Sequence, residues 1–265
     1  MICETQAKTV LQKSRLPESP YCLNPYVGCL HRCSYCYARF MRRFTGHSEA
    51  WGSFVDVKVN ASEVLERQLE RTSVKGSVLI GSVCDAYQPI EKRYGLTRAC
   101  IQHLVAHEVS FSVLTKSSLV LRDLDILKQA GDAATVGISL SILDDSIRRV
   151  FEPGASPVQE RLRTLEELHK NGIRTYVFIG PILPTITVPQ DIVAVAQPFV
   201  DEVWGEALNM RCGNRQDLTH AYEKCNLSDE WQTLVRSEEY WSNMARGLEK
   251  ACGKAKRPLV GFFRH

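Results

Sequence analysis

Three cysteines, Cys29, Cys33 and Cys36, lie close together in the segment NPYVGCLHRCSYCYAR, residues 24–39. Thiolates bind metals, and a [4Fe–4S] cluster has four irons that each take an external ligand. Three protein thiolates would therefore leave one iron open to another molecule, much as catalytic zinc keeps an open position. The alternative is a zinc site, since short cysteine clusters often bind zinc. The candidates for its fourth ligand are His31, His47 and Cys22.

Strand-like and helix-like segments alternate along the chain. The predicted strands are 22–27, 77–83, 109–115, 134–140, 173–180 and 200–208. The predicted helices that connect them are 62–72, 96–107, 119–130, 157–172 and 189–199. Strands that alternate with helices indicate a parallel sheet. Because six such units are too few for a closed eight-stranded barrel, the sequence predicts an α/β fold with a partial, TIM-like (β/α)6 barrel.

A helical extension is predicted after the barrel. Apolar residues at helical spacing run from about Ser228 to Cys252, so we expect one long helix there that docks on the barrel. The last segment, GFFRH, is predicted to be an extended edge or tail. We expect residues 1–265 to form a single domain, with its barrel at about 20–208 and the extension at about 209–265.

Polar side chains follow several of the predicted strands. Ser82 and Cys84 stand at the end of the second strand, Lys116 follows the third, and Ser139 and Ser141 follow the fourth. The cysteine loop follows the first. In parallel barrels the active site gathers at the C-terminal ends of the strands. The sequence therefore places the cysteine loop and these side chains at the same end of the barrel.

Composition limits the class of protein. Lys and Arg number 33 against 30 Asp and Glu, so any affinity for nucleic acid must come from a local patch. The N-terminus is polar and no apolar run reaches the ~18 residues that a membrane helix needs. We therefore expect a cytoplasmic protein with no membrane partner. In a reducing cytosol, its ten cysteines do not form a disulfide framework.

One segment combines arginines with aromatic residues and lacks acidic ones. Its residues are Arg32, Tyr35, Tyr37, Arg39, Phe40, Arg42, Arg43 and Phe44. Arginine beside aromatic rings suits phosphates and stacked bases, or the carboxylate or phosphate of a small molecule. The alternative is an ordinary solvated basic helix whose aromatic side chains pack inward.

The cysteine spacing resembles a known signature. Cys29-x-x-x-Cys33-x-x-Cys36, with Tyr35 before the third cysteine, is similar to the motif of the radical S-adenosylmethionine (SAM) enzymes. Further stretches resemble the spore photoproduct lyase-like family: NPYVGCLHRCSYCYAR, WGSFVDVKVNASEVL, GSVCDAYQPIEKRYGLTR and FEPGASPVQERL. The resemblance implies a [4Fe–4S] cluster on the three cysteines, with SAM bound to the free iron through its amino and carboxylate groups.

The resemblance also assigns roles around SAM. Lys116, Ser139 and Ser141 match positions that hold SAM in the lyases, and Tyr35 belongs to the cluster motif. The backbone from Gly81 through Ser82 to Cys84 matches the place that pairs with the methionine amino group. Cys84 stands where relatives carry Thr, and Ser82 where the lyases carry the cysteine that quenches the product radical. Cys84 is thus either a hydrogen-atom donor or only a small residue at the strand end.

The implied reaction is the reductive cleavage of SAM to methionine and a 5′-deoxyadenosyl radical, which takes a hydrogen atom from the substrate. It implies an electron donor such as flavodoxin or ferredoxin. The substrate stays open among a nucleotide or nucleic acid, a peptide and a small molecule, and the modest net charge weakens a DNA-repair interpretation. The alternative function is a zinc- or Fe–S-binding nucleic-acid-binding module without catalysis.

Overall fold

The computed structural model describes residues 1–16 and 18–265. Its strands are β1 (Ile2–Thr5), β2 (Leu11–Leu16), β3 (Ser19–Leu23), β4 (Tyr26–Val27), β5 (Val55–Lys58), β6 (Val78–Ile80), β7 (Phe111–Thr115), β8 (Ala134–Ser139), β9 (Arg174–Ile182), β10 (Glu202–Ala207) and β11 (Leu259–Phe263). Its α-helices are α1 (Ala61–Arg71), α2 (Glu91–Tyr94), α3 (Leu96–Ala106), α4 (Leu124–Ala130), α5 (Asp145–Phe151), α6 (Val158–Lys170), α7 (Pro189–Ala196), α8 (Arg215–Lys224), α9 (Trp231–Leu234) and α10 (Glu238–Ala255).

The main sheet is a curled half-barrel. Its eight strands follow the order β11-β10-β9-β8-β7-β6-β3-β2, and all neighbours are parallel except the β2–β3 pair. The six central strands are the ones that the sequence predicts. The hairpin strand β2 and the late strand β11 form the two edges. The prediction of an α/β partial barrel is therefore confirmed, with one extra strand on each side.

Successive side chains of the main-sheet strands alternate between the hollow of the half-barrel and the helix-covered outer side. Val113, Val136 and Val177 are fully buried on the outer side, where the helices cover the sheet. The residues between them, such as Ser112 and Tyr176, face the hollow of the half-barrel. Successive side chains of a strand point to opposite faces, so burying the valines leaves their polar and aromatic neighbours free to line a cavity.

A smaller sheet, with the order β1-β5-β4, holds both ends of the cysteine loop. Strand β4 precedes the loop and β5 follows it. Asp56 on β5 lies opposite Cys3 on β1 and opposite Val27 on β4. The sequence predictions missed this sheet because its strands are two to four residues long.

Two predicted strands need correction. The first, predicted at 22–27, is displaced: β3 covers Ser19–Leu23 and forms a hairpin with β2. The second, predicted at 77–83, ends at Ile80, because Gly81 turns the chain with a φ of 89°. Ser82 and Cys84 consequently lie in the turn after β6, and strand alternation does not set where their side chains point.

The predicted last helix is also divided. The segment from Ser228 to Cys252 forms α9 and α10, and the hydroxyl of Ser237 caps α10 by accepting a hydrogen bond from Tyr240 N. Helix α10 packs against α7 and β10, and the segment predicted as an extended edge forms β11 beside β10. Helices α5 and α8 were not predicted. Among the described helices, none has both the length and the apolar character needed to cross a membrane.

Candidate active site

The cysteine loop begins at a glycine that no other residue can replace without displacement. Gly28 has a φ of 92°, and a Cβ there would lie 2.4 Å from the carbonyl oxygen of Phe54. Two turns follow, closed by Arg32 N to Cys29 O at 3.3 Å and by Cys36 N to Cys33 O at 3.1 Å. These turns bring the thiols of all three cysteines to one cavity.

The spacing of the three sulfurs bears on which metal they fit. They do not form a group whose ligand atoms all lie within 4.8 Å of one another, so at least two are farther apart than that. A tetrahedral zinc with Zn–S bonds of about 2.3 Å holds its sulfurs about 3.8 Å apart. The three sulfurs are therefore not preset at the spacing of a single zinc ion, and a polynuclear iron–sulfur cluster accepts a wider spacing.

Burial keeps the three cysteines as thiols until a metal binds. It raises the pKa of Cys33 to about 12, and it also raises the pKa values of Cys29 and Cys36. A metal ion reverses this preference because it binds the thiolate form. The three donors, Cys29 buried and Cys33 and Cys36 partly buried, thus converge on one cavity and suit a metal cluster.

The turn between α5 and α6 supports the loop from below. Ser34 N donates to Phe151 O at 2.9 Å, and Gly154 N donates to His31 O at 3.0 Å. A Cβ on Gly154 would lie 2.2 Å from Leu30 O, so the turn and the loop touch through their backbones. The FEPG segment thus shapes the site through contact with the loop.

A buried ion pair lies beneath the loop. Glu152 accepts a hydrogen bond from the hydroxyl of Tyr35 and pairs with Arg161, and both charged side chains are completely buried. Burial alone would raise the pKa of Glu152, but the charges of Arg161 and Lys116 hold it below its ordinary value. The sequence analysis missed this pair, whose only local signal is an acid and an arginine nine residues apart.

Asp85 links the loop to two strand ends. Its carboxylate lies 3.2 Å from His31 Nδ1 and accepts hydrogen bonds from Thr115 Oγ1 at 2.7 Å and from Lys116 N at 2.8 Å. Burial opposes its ionisation, but His31 and these donors hold the pKa of Asp85 well below its usual range. His31, a candidate zinc ligand by sequence, instead has Nδ1 facing Asp85.

The cavity beside the cysteines has a volume of about 600 Å³. Most of the predicted site residues line it, namely Cys29, Cys33, Tyr35, Cys36, Ser82, Cys84, Lys116 and Ser139. Ser141 is fully buried outside this lining, and its hydroxyl has no hydrogen-bond partner in the part of the chain that the structure describes.

Lys116 contributes a positive charge to the cavity. Its ammonium lies 5.7 Å from the centre of the Tyr35 ring. Within residues 1–16 and 18–265, no carboxylate lies within ion-pair distance of this ammonium. It is therefore available to an anionic group of a bound molecule.

The side-chain amide of Asn24 holds the turn after β6. Asn24 Nδ2 donates to Ser82 Oγ at 2.9 Å, and Asn24 Oδ1 accepts from Val83 N at 3.0 Å. The same oxygen accepts a weak bond from Cys84 Sγ at 3.7 Å. Ser139 lies across the cavity and donates to Gly180 O at 3.2 Å. No local sequence signal indicates this role of Asn24, because its partners lie about 60 residues later in the chain.

An aromatic row forms the inner wall. Tyr176, Trp204 and Phe263 stand on β9, β10 and β11, with ring centres 5.6 Å and 5.7 Å apart. Gly137 makes room for it, since a Cβ there would lie 2.0 Å from the Tyr176 ring. The sequence gives little indication of this row, because aromatic residues at alternate strand positions are equally typical of a cavity wall and of a packed core.

The basic segment differs from the inward-packed helix that was one alternative. Residues Tyr37–Phe44 form a 3₁₀ helix on which Phe40 is 37% and Phe44 66% exposed. The guanidinium of Arg43 lies 5.7 Å and 4.6 Å from the centres of these two rings. The exposed rings and the arginine form a small basic, aromatic surface.

Comparison with known families agrees with the fold and the cysteine loop. Residues 23–197 match the Radical SAM superfamily, so this chain belongs to that superfamily. Membership implies a [4Fe–4S] cluster and SAM as cofactors, and the resemblance seen in the sequence is confirmed.

Several proteins of different organisms are similar in sequence. An uncharacterized protein of Methanocaldococcus jannaschii is 34% identical over 88% of this chain and 86% of its own length. An uncharacterized protein of Mycobacterium bovis is 32% identical over 71% of this chain and 56% of its own length. A radical SAM Nalpha-GlyT isomerase of Pseudomonas phage M6 is 26% identical over 63% of this chain and 34% of its own.

Solved structures show the same fold at low sequence identity. Spore photoproduct lyase complexed with dinucleoside spore photoproduct has a TM-score of 0.76 and 14% identity, over 99% of this chain and 82% of the lyase chain. A variant of that lyase with bound AdoMet and dinucleoside spore photoproduct has a TM-score of 0.72 and 14% identity, over the same shares of the two chains. At this identity the likeness shows the fold alone.

Proposed function

We propose that this protein is a radical SAM enzyme in which Cys29, Cys33 and Cys36 hold a [4Fe–4S] cluster and the adjoining cavity binds SAM. The observation that supports this proposal most is the set of three thiols, one buried and two partly buried, that converge on one cavity beside Lys116. We further infer that residues 1–265 act as one radical SAM domain, with a ferredoxin or flavodoxin as electron donor.

The cluster and SAM, when bound, would supply a 5′-deoxyadenosyl radical for hydrogen abstraction. The residues of this chain would bind and orient the cofactor. The ammonium of Lys116 would pair with the SAM carboxylate, and the turn that Asn24 fixes would face the amino group. Ser139 and Tyr35 would border the bound cofactor on the strand side and the loop side.

Cys84 would return a hydrogen atom to the substrate radical late in turnover. Its side chain lines the cavity and is buried. Burial raises the pKa of the Cys84 thiol to about 12, so this cysteine keeps its S–H hydrogen at neutral pH. A carbon radical within reach of this thiol could take that hydrogen and leave a thiyl radical on Cys84. One electron from the ferredoxin or flavodoxin and one proton would then restore the thiol. The proposed reaction is therefore lyase-like hydrogen transfer, started and ended inside one cavity.

The substrate would carry a planar ring. The row of Tyr176, Trp204 and Phe263 presents ring faces and edges to the cavity, and bases stack on aromatic side chains at about 1–3 kcal/mol each. A nucleobase is the ring that this wall suits best. Two of the solved lyase structures of similar fold described above hold a dinucleoside ligand, which agrees with this choice.

Anaerobic reconstitution with iron and sulfide tests the enzyme proposal. We expect about four irons per chain and, with SAM and a reductant, formation of 5′-deoxyadenosine detected by mass spectrometry. The chain with Cys29, Cys33 and Cys36 changed to Ala should bind no cluster and form no 5′-deoxyadenosine. A purified protein that holds zinc on these cysteines and never cleaves SAM would favour the nucleic-acid-binding module instead.

Deuterated substrates then test the substrate class. Oligonucleotides, free nucleosides and peptides are incubated separately, and transfer of deuterium into 5′-deoxyadenosine identifies the one that donates hydrogen. We expect transfer from a nucleobase-bearing compound. DNA that contains spore photoproduct is included, since restored thymines at catalytic turnover would identify a repair enzyme. Transfer from peptides alone would contradict the nucleobase proposal.

A further inference from the structure

A second group of metal-binding side chains lies in the small sheet, outside the cavity. The ligand atoms of Cys3, His47 and Asp56 all lie within 4.8 Å of one another. Across residues 1–16 and 18–265 this is the only such group, and none of its members lines the cavity of the candidate active site. We propose that these three side chains bind a zinc ion that is separate from the iron–sulfur cluster.

The backbone prepares two of the three ligands. Strands β1 and β5 are parallel, and their register sets Cys3 directly opposite Asp56. Residues paired across neighbouring strands point to the same face of a sheet, so the thiol and the carboxylate approach each other without a loop rearrangement. A metal that joins them costs little conformational entropy, because the strands already hold both residues.

The histidine is held in the orientation that a metal ligand needs. His47 Nε2 lies 2.7 Å from Asp56 Oδ1, and His47 Nδ1 lies 3.3 Å from Glu49 Oε2. The Phe54 ring stacks on the imidazole with ring centres 4.0 Å apart. A metal-bound histidine almost always donates its other N–H to a carboxylate or carbonyl. Glu49 is placed to receive that bond while Nε2 binds the metal.

The donor set selects the kind of metal. One sulfur, one nitrogen and one carboxylate oxygen suit zinc, whereas calcium and magnesium take oxygen ligands. A water molecule would complete a four-coordinate site, since all three residues are only partly buried. The thiol of Cys3 would lose its proton when zinc binds.

The position of the site suggests what zinc would do. Asp56 also pairs with Val27, which stands two residues before Cys29. His47 follows the Tyr37–Phe44 helix that ends the cysteine loop. Zinc would therefore join the N-terminal strand to the segments on both sides of the loop, and it would restrain the loop from outside the active site.

X-ray absorption at the zinc edge tests the proposal on the reconstituted holoprotein. The edge reports zinc alone, so the iron cluster does not interfere. We expect about one zinc per chain with one sulfur neighbour near 2.3 Å and the remaining neighbours, nitrogen or oxygen, near 2.0 Å. Zinc with three sulfur neighbours would instead lie on Cys29, Cys33 and Cys36, and this result would overturn the proposal.

Variants locate the zinc and separate this proposal from the enzyme proposal. Cys3→Ser and His47→Gln should lose the zinc, and Glu49→Ala should weaken zinc binding about 10- to 100-fold in a chelator competition. Cys22→Ser and Glu63→Ala, on β3 and α1, are matched controls that should keep it. Retention of zinc by both Cys3→Ser and His47→Gln, or no zinc at equimolar supply, would overturn the proposal.

The same measurements are repeated on the chain with Cys29, Cys33 and Cys36 changed to Ala, checked for folding by circular dichroism. Zinc should still bind there with one sulfur neighbour, whether or not the wild-type chain assembles a cluster or cleaves SAM. Zinc should also slow proteolysis of residues 37–50 in this chain. A folded chain that binds no zinc would contradict the proposal without bearing on the enzyme proposal.

Discussion

The indole Nε1 of Trp51 donates a hydrogen bond to the sulfur of Cys36 at 3.2 Å. Burial raises the pKa of the Cys36 thiol, and this hydrogen bond opposes that effect by favouring the thiolate. Trp51 lies 15 residues after Cys36, in the segment that leads to β5. The third cysteine of the loop therefore receives a donor from a part of the chain that the spacing motif does not include.

Trp51→Phe should lower the reduction potential of the assembled cluster. Hydrogen bonds to the sulfurs are among the factors that set cluster potentials, and a donor stabilises the more negative, reduced state. We expect a shift of about 20–60 mV to lower potential, since about 60 mV corresponds to about 1.4 kcal/mol for one electron. Redox titration followed by electron paramagnetic resonance measures it. Trp241→Phe removes an indole donor to Val235 O and should leave the potential unchanged.

Gly154→Ala should impair cluster assembly. The new Cβ would lie 2.2 Å from Leu30 O, so the loop must move away from the α5–α6 turn. We expect iron per chain after reconstitution to fall several-fold, with far-ultraviolet circular dichroism unchanged. Gly46→Ala is the matched control, because its Cβ would meet no atom within 4 Å. Equal iron content in both variants would show that this contact does not position the loop.

Glu152→Gln should destabilise the fold and disturb Tyr35. The change leaves the buried guanidinium of Arg161 without its counter-charge, and breaking a buried ion pair from one side costs about 3–5 kcal/mol. Urea unfolding of the cluster-free protein measures the loss. Replacing both partners, as Glu152→Leu with Arg161→Met, should recover much of that stability. A single variant as stable as wild type would show that the buried pair does not stabilise the fold.

Lys116→Met should weaken SAM binding about 10- to 100-fold, because a hydrogen bond to a charged group contributes about 1.5–3 kcal/mol. Calorimetry on the reconstituted protein measures the affinity. Decarboxylated SAM should bind wild type and variant alike, since it lacks the group that the ammonium would hold. Lys92→Met, at an exposed position on α2, is the control. A variant that loses affinity equally for both ligands would place Lys116 in a structural role.

Cys84→Ala should leave SAM cleavage intact and change its outcome. Without the thiol hydrogen, the substrate radical should give altered, uncoupled or dimeric product at a lower yield per 5′-deoxyadenosine. Product analysis by mass spectrometry checks this, with Cys100→Ala, on α3, as the control. Unchanged product at unchanged yield would exclude the donor role. Loss of SAM cleavage itself would assign Cys84 to cofactor binding.

The sequence predicted the half-barrel well because its periodic segments are long. Strand β9 and helix α6 each carry enough apolar residues to reveal their period, and both form within a few residues of the predicted bounds. The errors lie where one residue decides the outcome. Gly81 ends β6 early, and Ser237 begins a new helix where apolar spacing alone suggests continuity.

The candidate active site likewise has features that the sequence reveals and features that depend on tertiary structure. The meeting of the three cysteines at one cavity was predictable because they are close in sequence, and the position of Lys116 there because it follows a strand of a parallel barrel. The contacts of Glu152 and Trp51 were not predictable, because tertiary structure sets their partners. The hydroxyl of Tyr35, for example, donates to Glu152, which lies 117 residues later in the chain. Spacing motifs report ligands but not the residues that hold those ligands in place.

The supports of the cysteine loop also impose an order on biosynthesis. Asn214 donates to the carbonyl of Tyr35, 179 residues earlier in the chain, and Arg39 pairs with Asp217. At about 5–20 residues per second, a ribosome needs about 10–35 s to travel from one partner to the other. The nascent loop thus lacks these two contacts until residues 214–217 have been made. The full set of contacts that frames the loop therefore forms only when most of the chain has left the ribosome.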